Sequence, residues 1–258
     1  MRKIFYIFIF TSILSGDLYP AVRHMDFALS AAGALRNDPL TYVASSAFFP
    51  DTLCLVSAWT PGFRGYGIQE GYVYGGSHFG SLSFKTQYHH LMSNHDLSIG
   101  IPLLREEQIR AGVRLTYGLS SIHGVETLHG GSCSGAVNIR PHPHWDIFMQ
   151  TEHCLSFPQD KSIRFFEPVT SVRLRWDPGG PVTMNVFISK QEYLPWEAGV
   201  LIAGSLWDTL YPSLLYAVPD GRLVLTIRIR IGRFNIHESL AYHPYLGITQ
   251  SVFIAYAY

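Results

Sequence analysis

The sequence is poor in charge. Asp, Glu, Lys and Arg make up only 15% of its 258 residues, where a soluble domain usually carries about 25%. Its 19 basic and 19 acidic residues cancel, so the basic surplus that a nucleic-acid binder needs to meet phosphates is missing. No internal run of about 20 apolar residues occurs, which excludes a bundle of membrane-spanning helices. Cys54, Cys133 and Cys154 form no close pair, leaving neither zinc spacing nor a disulfide framework. Proline (15) and glycine (23) stand at ordinary levels, which removes collagen-like and disordered chains. What the chain does have is 47% hydrophobic residues, with 14% Phe, Trp and Tyr. That composition suits a surface that meets something other than water.

Arg2 and Lys3 precede an apolar stretch from Ile4 to Leu14, followed by Ser15, Gly16 and Asp17. This order of charge, short apolar run and small-residue exit is that of a secretory signal peptide over residues 1–16. As a membrane anchor the stretch is too short, about 16 Å as a helix. Its removal leaves 17 basic residues against 19 acidic ones in an exported chain.

From Asp51 onward the pattern has period 2. Leu223, Leu225, Ile227, Ile229 and Ile231 alternate with Val224, Thr226, Arg228 and Arg230. Ile109, Val113, Leu115 and Tyr117 oppose Arg110, Gly112, Arg114 and Thr116, and Val172, Leu174 and Trp176 oppose Arg173 and Arg175. Turn clusters such as Asp177-Pro178-Gly179-Gly180 and Pro219-Asp220-Gly221 separate the runs. The expectation is an all-β chain. A soluble sandwich and a membrane barrel both put one apolar face on each strand. The barrel is favoured because the alternate face carries Ser, Thr, Gly, Asn and scattered Arg rather than abundant Lys and Glu. Aromatic residues near strand ends (Trp59, Tyr88, Tyr117, Trp145, Trp176, Trp196, Trp207, Tyr211) also suit interfacial girdles. Fourteen strands are expected, the eighth over 164–176, with twelve as the alternative.

The last strand carries Val252, Ile254, Tyr256 and Tyr258 on its outward face. This arrangement resembles the signal by which bacterial outer-membrane barrels are recognised, which implies outer-membrane lipid and the barrel-assembly machinery as partners.

Residues 17–50 do not alternate. A small-residue stretch (Phe27 to Ala34) leads to Asp38-Pro39, five residues, then Ser45-Ser46-Ala47. This resembles the amino-terminal hatch of FadL-like barrels and of the related PorV/PorQ barrels, where Asp-Pro, five residues and Asn-Pro-Ala follow such a stretch. Asp38, Pro39 and Ala47 match, and Ser45-Ser46 stands in place of Asn-Pro. His243-Pro244-Tyr245-Leu246-Gly247-Ile248-Thr249-Gln250 is similar to a stretch before the final strand of PorV-like proteins, with Gln250 where a His is common. The resemblance implies a transmembrane antiparallel barrel of fourteen strands over 51–258, with residues 17–50 folded into the lumen as a hatch.

Metal and hydrolase chemistry find little support. His142-Pro143-His144 and His89-His90 offer two imidazoles each, short of a full ligand set. Gly131-Ser132-Cys133-Ser134-Gly135 comes nearest to a nucleophile elbow, but its glycines flank Cys133, not a serine. A non-enzymatic protein without cofactor is expected. The lumen candidates are Arg110, Arg114, Arg140, Arg173, Arg175, Arg228, Arg230 and Lys85, with Asp146, Gln150 and Glu152 beside them. They read either as a cationic track for an anionic solute or as a structural ladder pairing with carboxylates and hatch carbonyls. The ladder is favoured, and on that reading Arg228→Glu with Arg230→Glu destabilises the barrel.

Two functions follow from the resemblance. One is a PorV/PorQ-like scaffold that handles secreted proteins in type IX secretion. The other is a FadL-like channel for small hydrophobic or amphipathic molecules.

Overall fold

A computed structural model of the chain describes residues 38–45, 47–60, 69–89, 92–122, 127–157, 166, 168–192, 194–207, 209–244 and 247–257. Residues 1–16, where a signal peptide is expected, residues 17–37, Ser46, His90 and Tyr258 lie outside the described residues.

Fourteen strands form one closed antiparallel barrel, each paired with its neighbours in sequence and the first with the last. They are β1 (Cys54–Thr60), β2 (Gln69–Ser77), β3 (Gly80–His89), β4 (Met92–Arg105), β5 (Ile109–Ile122), β6 (Leu128–His142), β7 (Trp145–Phe157), β8 (Val169–Trp176), β9 (Val182–Gln191), β10 (Glu197–Gly204), β11 (Leu210–Val218), β12 (Arg222–Ile231), β13 (Phe234–His243) and β14 (Gly247–Ala257). Closure runs from Cys54 opposite Ala257 to Trp59 opposite Val252, so neither terminal strand keeps an open edge. The count is the expected fourteen, although β8 starts at Val169 rather than 164.

Alternation explains why these segments pair as they do. On β12 the exposed side chains are Leu223, Leu225, Ile227 and Ile229, while Arg222, Val224, Thr226 and Arg228 are buried. A slip of one residue would drive Arg228 into the apolar surround and the isoleucines into the lumen, so register is strongly specified. Val252, Ile254 and Tyr256 alternate with the buried Ser251, Phe253 and Ala255, on the outward side of β14. Aromatic side chains edge both rims. Trp145 and Trp176 meet at 6.5 Å between ring centres and Phe234 meets Tyr256 at 5.1 Å on the rim that carries the strand termini. Trp59, Tyr88, Tyr216 and Tyr242 stand exposed towards the opposite rim. An apolar belt between two aromatic girdles is the exterior that a bilayer requires.

Tyr211 is a correction. It pairs with Arg228 and shares the inward parity of Ser213, Leu215 and Ala217. Lying near a strand end did not decide its direction; the pleat did.

Connections on the rim of the termini are short: 78–79, 106–108, 143–144, 177–181, 205–209 and 232–233. The longest spacings between strands, 61–68 and 158–168, fall on the other rim.

Inside, the wall is not uniformly polar. Hydroxyls pair across strands, as in Thr226 with Ser239 at 2.7 Å, Ser98 with Thr116 at 2.8 Å and Thr60 with Ser251 at 2.8 Å. One sector, formed by Leu201, Ala203, Leu215, Ala217, Val224 and Ala241, is an apolar cluster of inward-facing side chains. Burying small aliphatic groups there removes water from the lumen without orphaning polar atoms.

Candidate functional site

The segment before β1 enters the barrel. Its helix α1 (Pro39–Ala44) starts at Asp38, whose carboxylate accepts a hydrogen bond from the Leu40 amide at 2.9 Å, with Pro39 at the first helical position. Six residues make too short a helix to persist alone, so its order comes from contacts with the wall. Leu40 and Val43 pack among Cys54, Val56, Ala58, Tyr72, Tyr74, Phe253 and Ala255 of β1, β2 and β14. Beyond the helix, Ala47 and Phe48 pack on Ala136 and Phe148 of β6 and β7. The Phe48 and Phe148 rings stack at 5.8 Å, and Tyr42 touches both clusters. Phe49 sits over Gly100: a Cβ at that glycine would come within 3.2 Å of the Phe49 ring. The segment therefore holds two walls at once, on opposite sides of the ring.

Charge fastens it as well. Arg228 Nη1 donates to Asp38 Oδ2 at 2.8 Å, and both side chains are buried. His237 Nε2 lies 3.6 Å from Asp38 Oδ1, and the Arg228 guanidinium stands 3.8 Å over the Tyr211 ring. Arg114 Nη2 donates to the Val43 carbonyl at 3.0 Å, taking one of the carbonyls that a helix end leaves unpaired.

A second ionic group lies across the lumen. Asp146 accepts from Arg140 Nε at 3.0 Å and from Arg175 Nε at 2.9 Å, with Arg175 Nη2 also in contact. Beside it a water-sized cavity of about 30 Å³ is lined by Thr41 and Ser45 of the segment and by Asn138, Arg173 and Asn185 of the wall. Asn138 Oδ1 and Asn185 Nδ2 have no hydrogen-bond partner among the described residues. Lys85 stands opposite Asp96, and Glu152 stands opposite Val169 while accepting from Gln150. Arg110 lies opposite Asn138 near the start of β5. Arg230 is exposed near the end of β12.

The seven arginines singled out from the sequence share a level. Each lies in the half of its strand nearest the rim of the termini, on β5, β6, β8 or β12. On that rim a cavity of about 700 Å³ opens, with Arg228, Arg230, Arg233 and Tyr211 in its wall and Pro39 at the segment.

Several contacts escaped the reading of the sequence. Arg222 bonds Glu197 at 2.9 Å and Asp220 at 2.7 Å; its parity with Arg228 could have revealed it. Ser132 Oγ and His153 Nδ1 lie 2.7 Å apart where β6 and β7 slip register, and His153 there has φ 52. Nothing in a local pattern announces that bulge. On the outer wall Glu238 Oε1 accepts from Gln250 Nε2 at 2.7 Å, and both residues are exposed. Cys133 takes the outward parity of β6, and the Cys154 thiol reaches the Cys133 carbonyl at 3.1 Å. Among the described residues no three His, Cys, Asp or Glu side chains converge as metal ligands.

No family model matches the sequence, and no curated protein matches it. Solved structures do share its fold. A Pseudomonas aeruginosa FadL homologue superposes with a TM-score of 0.60 over 88% of this chain and 96% of its own, at 8% identity. A bacterial polysaccharide outer membrane secretin gives 0.52 over 82% of this chain and 99% of its own, at 11% identity. The fold is that of the outer-membrane β-barrels.

Proposed function

We propose that the protein is an outer-membrane barrel of PorV/PorQ-like type, a non-enzymatic scaffold that handles secreted proteins at the cell surface in the type IX route. Residues 1–16 direct its export, residues 17–50 form the hatch, and the last strand addresses the chain to the barrel-assembly machinery. The observation that carries this reading is the double attachment of residues 38–50 to β14–β1–β2 and to β6–β7. A segment held on two sides of the ring, latched by Asp38 to Arg228, serves a barrel that stays shut. The Asp38-Pro39 and Ala47 spacing and the stretch from His243 support the PorV/PorQ side.

The second reading is a FadL-like channel for small hydrophobic or amphipathic molecules. The shared fold with a FadL homologue favours it.

Planar-bilayer recording separates the two. The refolded full chain is expected to stay silent, and conductance steps are expected to appear on deletion of residues 17–50. Steps from the full chain would overturn the scaffold in favour of the channel.

A further inference from the structure

The cavity on the rim of the termini has a chemistry that neither function requires. Three guanidinium side chains, Arg228, Arg230 and Arg233, enter its wall, and among the described residues Asp177 is the carboxylate beside them. Asp177 Oδ1 already accepts the Gly179 amide at 3.1 Å, within its own turn. Arg228 is neutralised by Asp38 and stands over the Tyr211 ring. Arg233 reaches the Tyr256 hydroxyl at 3.5 Å. Arg230 enters no side-chain hydrogen bond or ion pair with the described residues; its backbone amide donates to the Thr209 carbonyl at 2.8 Å.

Neutral donors complete the wall. Asn235, Thr183 and Ser205 line it, and none of them repels an anion. Gly179, Gly180 and Gly232 also line it, and a Cβ built on any of the three meets nothing within 4 Å, so the rim is left wide. About 700 Å³ is the size of a pocket for a small organic molecule. The other arginines of β5, β6 and β8 gather in the same half of the barrel. Arg140 and Arg175 are balanced there by Asp146, and the positive charge that Arg230 and Arg233 bring to the mouth of a low-dielectric wall attracts counter-ions.

We propose that this cavity is a binding site for a small solute bearing an oxyanion, a carboxylate or a phosphate, gripped by Arg230 and Arg233. Guanidinium is the group for the task, since its planar fork matches both anions bidentately. Arg228 forms the wall towards the lumen segment and ties the site to the latch. A bound oxyanion and the Asp38 carboxylate attract the same guanidinium, so occupancy weakens the latch. The site stands apart from the choice between scaffold and channel, since it needs only the wall and its arginines.

Calorimetric titration of the refolded full chain in zwitterionic micelles at low salt tests this, with inorganic phosphate and succinate as separate probes. Saturable binding of at least one is expected, weakened tenfold or more in Arg230→Gln with Arg233→Gln. Arg105→Gln serves as control, because Arg105 lies on the same rim but pairs with Asp51 at 2.7 Å outside the cavity. Heat-modifiable gel mobility verifies folding of each variant, and Arg230→Gln alone, which breaks no ion pair among the described residues, is expected to fold and to weaken binding. Binding of phosphate alone identifies a phosphate head, and binding of succinate alone a carboxylate. No saturable heat with either probe, or an equal loss in Arg105→Gln, overturns the site.

Discussion

The carboxylate of Asp38 and the guanidinium of Arg228 are 190 residues apart in sequence and 2.8 Å apart in the lumen. Neither is more than one-tenth exposed, so each needs the other: a buried charge that loses its partner cannot recover its hydration. Asp38→Ala is expected to cost about 3 kcal/mol, in the range for breaking one half of a buried pair. Removing both partners in Asp38→Ala with Arg228→Met is expected to cost less than Asp38→Ala alone. Urea-induced loss of heat-modifiable mobility, read as a double-mutant cycle, measures both; strict additivity would mean that the pair does not couple.

Arg228→Glu is expected to destabilise the barrel, because it sets a second carboxylate beside Asp38. Arg230→Glu is expected to change stability by less than about 0.5 kcal/mol, as for a surface position. The loss expected from the sequence for the double variant is thereby assigned to Arg228. Equal destabilisation by the two single variants would contradict this division.

Asp146→Ala strips two guanidiniums, Arg140 and Arg175, of a shared carboxylate. The expected cost is about 3 kcal/mol or more, seen as a lower temperature of heat modification. Asp146→Glu, which keeps the charge, should lose less.

Gly100→Leu fills the space that the Phe49 ring approaches, and its Cβ would also press on Ser81 Oγ. Displacing Phe49 should loosen the segment rather than unfold the wall. Proteolysis is the readout: cleavage ahead of β1 is expected to accelerate while the barrel itself stays resistant. Unchanged cleavage would show that Phe49 is not a point of attachment.

Glu238 carries a carboxylate on the outer wall midway along β13, between Phe234 and Tyr242. Among the described residues its hydrogen-bond partner is the Gln250 amide, too little to offset the loss of water in an apolar belt. Glu238→Leu is expected to stabilise the barrel by about 1 kcal/mol in lipid vesicles. A loss of stability there would point to a polar neighbour that covers the pair in the membrane.

The strand count, the faces of most strands and the outward aromatic residues were legible in the sequence for a local reason. A barrel wall separates two environments, and a pleat of period 2 records that contrast residue by residue: Ile227 and Ile229 outward, Thr226 and Arg228 inward. The lumen helix that starts at Asp38-Pro39 was not read from the sequence, where that pair served only the resemblance to a hatch, although its cap and first-turn proline act within a few residues. What tertiary structure alone decided is who meets whom across the lumen. Asp38 finds Arg228 and His237, Phe48 finds Phe148, and Arg140 and Arg175 share Asp146. Tyr211 turns inward beneath Arg228, and Glu238 faces outward beside Gln250. Those partnerships depend on the closure of fourteen strands into a ring of one circumference. Pairing across such a ring is set by its width and stagger, and no short window of sequence carries either.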